Sequence, residues 1–403
     1  MRRRRPRWSE IRELVQLERP ALGAEARVAR AASIGDLRAI ARRRTPRAVF
    51  DYTDGAAGPD ETALRRAREA FARVELIPEV LRDVSTVDAS TTILGRRAAL
   101  PLAFAPTGFT RVMGTEGEVA VGRVAKRMGI PHALSTMGTT SIEGLVEEVG
   151  EADRWFQLYV WRDRGASAAL VERARAAGYH ALVLTVDTHV AGARLRDVRN
   201  GFTTPPALTL RTLADMAIHP GWWYDMLTTE PLRFANLVDE RGSVSDMVTR
   251  VLDPSLSFAD LEWLRGIWDG PLVVKGVMTA KGAREVVDRG ADAVVVSNHG
   301  GRQLIHAPTP LEQLPSIVEE VGDRAEVMLD GGILDGGDIV AAVAMGARAC
   351  LVARAYLYGL MAGGEAGVQR AADLLADGIT RTMALMGART VDELTPDHVR
   401  IRP

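Results

Sequence analysis

The sequence predicts an α/β protein, a (β/α)8 TIM barrel with an N-terminal helical extension and a long insertion after the fourth strand. Three observations predict it. Eight short apolar runs with strand character occur in order, and seven of them are followed by an amphipathic helical stretch. Their hydrophobicity is continuous rather than alternating, as parallel strands buried on both faces require. Their spacing, mostly about 20 to 35 residues, is that of repeated strand–helix units.

Residues 1–32 read as a basic tail, with the charge run Arg2 to Arg5, and an amphipathic helix at 9–17. Helical patterns at 33–43, 45–51 and 59–74 open the main domain, residues 33–403. Strands are expected at 99–105, 130–135, 155–161, 180–187, 271–276, 291–297, 325–332 and 349–353. Helices are expected at 115–128, 164–177, 280–289 and 336–345, and the eighth strand should lead through a loop into a long helix at 365–385. The interval between the fourth and fifth strands is too long for one helix, so an insertion at 201–260 lies over the C-terminal mouth. It contains Pro205, Pro206 and the cluster Trp222, Trp223, Tyr224. The cluster reads as a lid or oligomer contact, or as a membrane-interface patch, a depth that paired tryptophans favour.

Composition removes other classes. With 51 basic and 52 acidic residues the net charge is −1, so no global field attracts nucleic acid. A chain 47% hydrophobic and 26% charged can bury a large core, which excludes disorder as its dominant state. A single cysteine, Cys350, excludes a disulfide scaffold and a cysteine-built metal centre within one chain. No His-Glu-x-x-His or paired histidine–carboxylate spacing speaks for a metal. No apolar run reaches the roughly 18 residues of a membrane span, and no signal-like stretch follows the basic N-terminus, so a soluble cytoplasmic protein is expected.

In a barrel, reacting groups sit at the C-terminal ends of strands. Those positions hold Pro106-Thr107-Gly108, Ser135, Gln157 and Tyr159, Thr185 and Asp187, Lys275, Ser297-Asn298-His299-Gly300-Gly301-Arg302, Asp330-Gly331-Gly332 and Ala353-Arg354. Any one of these could be a cap or a polar turn, but eight polar strand ends at one mouth have no simple structural explanation. Lys275 is one of only three lysines among 51 basic residues. It directly follows Leu272-Val273-Val274, where an ammonium group is costly unless it meets an anion. Asp330-Gly331-Gly332 bares backbone N–H groups and Arg354 adds charge where barrels bind phosphate. Neither a Gly-x-Gly-x-x-Gly after a strand nor a Walker motif is present, so a Rossmann site and a P-loop are not indicated.

At these residues the chain resembles the FMN-dependent α-hydroxy acid dehydrogenase/oxidase family, which includes glycolate oxidase, lactate oxidase and flavocytochrome b2. Within it the chain looks most like the bacterial quinone-linked L-lactate dehydrogenases. The resemblance runs from about Ser33 to the C-terminus through Phe50-Asp51-Tyr52-Thr53-Asp54-Gly55-Ala56-Ala57, Ala105-Pro106-Thr107-Gly108, Phe156-Gln157-Leu158-Tyr159, Thr185-Val186-Asp187 and Arg194-Leu195-Arg196-Asp197-Val198-Arg199-Asn200. It continues through Val273-Val274-Lys275-Gly276 and, most specifically, Ser297-Asn298-His299-Gly300-Gly301-Arg302-Gln303-Leu304.

The resemblance implies an FMN enzyme that oxidises an L-2-hydroxy acid, by default L-lactate, to the 2-oxo acid. It makes His299 the general base, oriented by Asp187, and gives the substrate carboxylate to Arg302 and Arg194. Tyr159 would bond the substrate oxygen, and Lys275 would face flavin N1/O2. Pro106, Thr107, Ser135, Gln157 and Thr185 would contact the isoalloxazine ring, with Gly108 and Met137 over it. Ser297, Asp330, Gly331, Gly332, Ala353 and Arg354 would complete the cofactor site. A quinone or oxygen would accept the electrons, with peripheral membrane contact for a quinone, and homotetramers are usual in the family.

The same resemblance marks departures. Ile305-His306 replaces Asp-Gly, Leu334 replaces a phosphate-side arginine, Ala353 replaces a glycine and His189 replaces a proline. Leu37 is aligned with the tyrosine that helps glycolate oxidase hold the substrate carboxylate. A small residue at Gly108 would leave room for a substrate larger than lactate, so a mandelate-like acid or a biosynthetic intermediate is the alternative. A flavin-binding protein without turnover is the alternative of another class.

Overall fold

The computed structural model describes residues 4–5, 7–12, 23–201, 210–237 and 251–402. Its centre is a closed parallel barrel of β1 (Leu102–Phe104), β2 (His132–Ser135), β3 (Arg154–Leu158), β4 (Ala181–Thr185), β5 (Leu272–Val277), β6 (Ala293–Val296), β7 (Glu326–Asp330) and β8 (Ala349–Val352). The ring order is β7-β8-β1-β2-β3-β4-β5-β6, with β6 closing on β7. Each predicted apolar run supplies one strand. The runs read as continuous because, apart from Gly276 and Glu326, every strand residue is buried.

The interior is filled largely by small side chains, Ala103, Ala133, Ala181, Ala293 and Ala349, which leave space for Trp155 and Met328. Its lower end is plugged by a hairpin, Thr91–Ile93 paired with Arg96–Ala98, that adds Ile93, Leu94 and Ala98 to the same cluster. Leu94 and Gly95 turn with positive φ, 50° and 77°, as a two-residue hairpin loop requires. Both carboxylate oxygens of Glu326 accept the Leu94 N–H, at 3.0 and 3.1 Å. Around the barrel, helices begin where a side-chain oxygen accepts a first-turn N–H: Ser141, Asp163, Thr279, Thr309 and Asp335 cap five of them.

Some expectations are corrected. No loop separates β8 from the last long helix, which runs Arg354–Met386 and is only kinked at Gly363 and Gly364, the latter at φ 60°. A short antiparallel pair, Val74–Leu76 with Val399–Ile401, ties the N-terminal region to the C-terminus, and a helix at Ala24–Ala29 precedes the extension. Arg2, Arg3, residues 13–17 of the predicted first helix, and Pro205 and Pro206 lie outside the described residues.

In the insertion, Leu210–Ile218 and Pro220–Thr228 are helical. The tryptophan pair does not form an outer face. Trp222 donates its indole N–H to the Val112 carbonyl at 3.0 Å, and Trp223 is buried, donating to Asp215 at 3.3 Å. The outward apolar residues are Leu210, Leu213, Ile218, Tyr224 and Leu227, each more than half exposed. Among the described residues no helix is long and apolar enough to cross a membrane.

Candidate active site

The turn after β6 carries the imidazole. His299 sits at φ 59°, a left-handed conformation that costs a residue with a side chain about 1–3 kcal/mol and that surrounding structure must hold. Its backbone N–H donates to Ser297 Oγ at 3.0 Å. Nδ1 meets Asp187 Oδ1 at 3.1 Å. Burial alone would raise the Asp187 pKa, but the charge and hydrogen bond of His299 and the charge of Lys275 hold it below the usual carboxylate range. An ionised carboxylate can only accept, so Nδ1 is the donor, which leaves Nε2 as the nitrogen that can take up a proton.

The strand after Asp187's neighbour bulges to admit this pair. In β5 the register slips between Lys275 and Val277, and Gly276 turns at φ 108°. A Cβ there would lie 2.8 Å from the Asp187 side chain, so the position requires glycine. Lys275, buried, contacts Asp330 at 2.7 Å and Ser297 Oγ at 2.9 Å. Burial pulls its pKa down, but Asp330 and Asp187 outweigh it and the ammonium is held charged.

Two cations gather beside this chain. Arg302 and Arg194 stack over the Tyr52 ring, 5.0 and 5.3 Å from its centroid. Arg302 also donates to the Tyr52 carbonyl at 2.6 Å. Burial and the like charge of Arg194 push the Arg302 pKa down, which makes the pair receptive to an anion. Tyr159 is close enough to Asp187, Tyr52, Arg194 and Arg302 for their charges to act on its hydroxyl. The tyrosine stacked under both arginines is Tyr52, and Leu37 is not part of this cluster. Leu37 is fully buried in the outer core. Tyr52 lies in a motif legible in the sequence, but its position under two arginines depends on the last turn of Arg47–Asp54 folding against the β6 turn.

The expected cofactor residues ring the same mouth. Gln157 Nε2, Thr185 Oγ1, Asp187 Oδ2 and Asp330 Oδ1 are buried with no hydrogen-bond partner among the described residues. Donors and acceptors of this kind fit a flavin, whose ring and ribityl chain alternate both. Ser135 donates to Gln157 Oε1 at 2.9 Å and so orients that amide. Thr107 bonds Tyr356 at 2.6 Å. Gly331 and Gly332 turn at φ 90° and 80° at the end of β7, and a Cβ at Gly332 would stand 2.9 Å from the Ala67 carbonyl oxygen.

Arg354 lies at the end of β8 but donates to three carbonyls, of Thr53, Gly300 and Gly55. Ala353 has φ −121°, a conformation open to any residue, so glycine is not needed there. Beside Leu334, Arg68 reaches from the helix Thr62–Ala72 to the Gly332 carbonyl and, at 2.5 Å, Asp338. Sequence reading missed this cation because it lies more than 260 residues from Gly332 in the chain.

Gly108 corrects another expectation. A Cβ there would stand 2.7 Å from Met137 Cβ, so the missing side chain is already occupied by Met137 and opens no extra room. Gln303 is a further residue sequence reading did not single out as functional. It accepts from Gly192 N–H at 2.8 Å and donates to the Asp187 and Val190 carbonyls at 3.3 Å, joining the loop after β4 to the His299 turn. Ile305 packs on Gly58, whereas His189 and His306 are exposed.

The description of the FMN-dependent dehydrogenase family matches residues 41–401. The chain is 54% identical over 398 residues to a Mycobacterium tuberculosis protein provisionally named an L-lactate dehydrogenase, covering 98% of this chain and 96% of the relative. It is 43% identical over 366 residues to the L-lactate dehydrogenase of Caulobacter vibrioides, covering 89% and 95%. Among solved structures, (S)-mandelate dehydrogenase, described as a monotopic membrane protein, superposes with a TM-score of 0.89 at 37% identity, covering 93% of this chain and all of that one. A soluble mutant of the membrane-associated enzyme from Pseudomonas putida gives 0.79 at 37% identity, covering 92% and 99%. With its barrel, its strand-end chemistry and these matches, the chain belongs to the FMN-dependent dehydrogenase family, an oxidoreductase with FMN as its cofactor.

Proposed function

We propose that residues 33–403 oxidise L-lactate to the 2-oxo acid, with His299 as the base. The observation that carries this is the His299–Asp187 pair beside two arginines stacked on Tyr52. Bound FMN supplies the two-electron acceptor. Arg302 and Arg194 hold the carboxylate, a planar match of guanidinium to carboxylate. Tyr159 and Tyr52 would bond the substrate, a role supported by their closeness to Arg194 and Arg302. His299 takes the proton at Nε2, and Asp187 at Nδ1 stabilises the imidazolium. Lys275, its direction set by Asp330 and Ser297, would hold a fixed positive charge toward bound FMN. Gln157, Thr185, Ser135, Pro106, Gly108, Ser297, Gly331, Gly332, Ala353 and Arg354 would line the cofactor side.

Lactate is favoured because the relatives named L-lactate dehydrogenase include those at 43% identity and because Met137 fills the space at Gly108. The mandelate-like alternative is supported by the solved neighbours. Steady-state rates on L-lactate and (S)-mandelate with an artificial acceptor separate the two. Lactate is expected to be preferred; mandelate favoured by more than about tenfold, roughly 1.4 kcal/mol of discrimination, sinks the lactate reading.

The acceptor in this reading is a membrane quinone, reached from a peripheral position on the inner face of the membrane by a homotetramer. The exposed Leu210, Leu213, Ile218, Tyr224 and Leu227 give an apolar contact, and the higher TM-score with the monotopic neighbour than with the soluble mutant supports it. Co-sedimentation with anionic vesicles should be lost in a Leu213→Ser/Leu227→Ser variant. No binding by the wild type would leave oxygen or a soluble carrier as the acceptor.

A further inference from the structure

Thr107 stands at the end of β1 with its hydroxyl between two others. Tyr356 Oη is 2.6 Å away and Thr110 Oγ1 3.2 Å. Each of those neighbours has a single proton, and each has a carbonyl to give it to. Tyr356 donates to the Ala105 carbonyl at 2.8 Å, and Thr110 to the Thr107 carbonyl at 3.1 Å. A carbonyl can only accept, so both protons are committed and both hydroxyl oxygens face Thr107 as acceptors. The Thr107 proton must then point inward, toward the nearer of them, Tyr356. The opposite assignment, with Tyr356 donating to Thr107, would deprive the buried Ala105 carbonyl of its phenol donor. Tyr356 is fully buried, packed 4.9 Å from the Phe104 ring, and burial raises its pKa, so the phenol keeps its proton.

We infer that Tyr356 is a positioning residue: by taking the Thr107 proton it turns Thr107 into an obligate hydrogen-bond acceptor toward the cofactor and favours the reduced flavin. This rests on the reading that FMN lies in this mouth with Lys275 toward N1/O2. β1 and β5 are four places apart in the eight-stranded ring, so Thr107 stands across the barrel from Lys275. The isoalloxazine carries N1/O2 on one edge and N5/O4 on the other. N5 is an acceptor when the flavin is oxidised and an N–H donor when it is reduced. An acceptor-only hydroxyl on that edge bonds the reduced form and not the oxidised one. In Tyr356→Phe the Thr107 proton is free to turn outward and bond oxidised N5.

The test is the midpoint potential of bound FMN, read spectrally in the purified holoenzyme. Tyr356→Phe and Thr107→Val should each shift it to more negative values, Thr107→Ser should keep it, and the Thr107→Val/Tyr356→Phe double variant should lie no lower than Thr107→Val alone. If Thr107→Val shifts the potential and Tyr356→Phe does not, or if the double variant is additive, the relay is overturned while the placement of FMN stands. If Thr107→Val leaves the potential unchanged, the placement itself is wrong. Should Tyr356→Phe fail to load FMN, Thr110→Val decides: an unchanged potential supports Tyr356 as the proton's partner, and a drop assigns that role to Thr110 and overturns the proposal.

Discussion

The two ends of the barrel hold similar raw material. At the mouth, Gln157 Nε2, Thr185 Oγ1, Asp187 Oδ2 and Asp330 Oδ1 are buried without a hydrogen-bond partner among the described residues; at the bottom, so are His132 Nδ1 and Arg154 Nε. Unpaired buried polar atoms alone therefore do not mark a site. What differs is access, charge and backbone. The bottom is plugged by the Thr91–Ile93 hairpin, and burial together with Arg154 pushes His132 down to about 3, a neutral imidazole at any working pH. At the mouth the His299 side chain is 26% exposed, meets an ionised carboxylate, and lies in a turn where His299, Gly300 and Gly301 all have positive φ. A histidine becomes a candidate base when it has both a counter-ion and an opening.

The largest effect should separate the two histidines. His299→Ala is expected to lower kcat by about 10²- to 10⁴-fold with FMN still bound. His132→Ala should cost about 0.5–3 kcal/mol of stability with kcat near wild type. Comparable losses of kcat from both would break the comparison.

The next effect contrasts two buried carboxylate contacts. Lys275→Met leaves Asp330 as an uncompensated charge and should destabilise the fold by about 3–5 kcal/mol in denaturant titration. Glu326→Gln at the bottom keeps an acceptor for Leu94 N–H and should cost about 1 kcal/mol.

Smaller effects fall on substrate binding. Arg302→Lys should raise KM by about 10- to 150-fold, the roughly 1.5–3 kcal/mol of a charge-assisted hydrogen bond, and Tyr52→Phe by about tenfold or less. Steady-state kinetics on L-lactate check both, and an unchanged KM in Arg302→Lys would remove that arginine from the carboxylate site.

The smallest effect is on acid stability. Burial would raise the Asp54 pKa, but Arg38, at 2.5 Å, and Tyr358, at 2.8 Å, lower it below its ordinary value, and Asp187 is lowered likewise. A depressed carboxyl pKa contributes stability that is complete above the unfolded value, about pH 4, and is lost as pH falls through the folded value. Asp54→Asn should therefore be less stable at neutral pH and show a flatter decline below pH 4 in thermal unfolding. An equally steep decline would place the acid sensitivity elsewhere.

The barrel was legible because each strand is buried on both faces and so reads as an unbroken apolar run. The hairpin and the Val74–Leu76/Val399–Ile401 pair were not, since three-residue strands carry no periodicity and their partners are set by tertiary packing. The kinked helix was misread because Gly363-Gly364 looks like a loop, yet the chain regains the helix beyond it. At the site, His299, Asp187, Lys275 and Arg302 were legible as polar residues ending apolar strands. Tyr52, Arg68, Gln303 and Tyr356 were not, because each acts through a contact distant in sequence or made by a loop. Gly108 shows the remaining limit: absence of a side chain does not reveal what fills the space.

The most direct test is the visible spectrum of the purified protein before and after anaerobic L-lactate, for the wild type and His299→Ala. The expected result is a flavin band in both, bleached promptly only in the wild type. A wild-type protein that binds no flavin even after FMN is added, or bound flavin that stays oxidised with lactate and mandelate alike, would contradict the account.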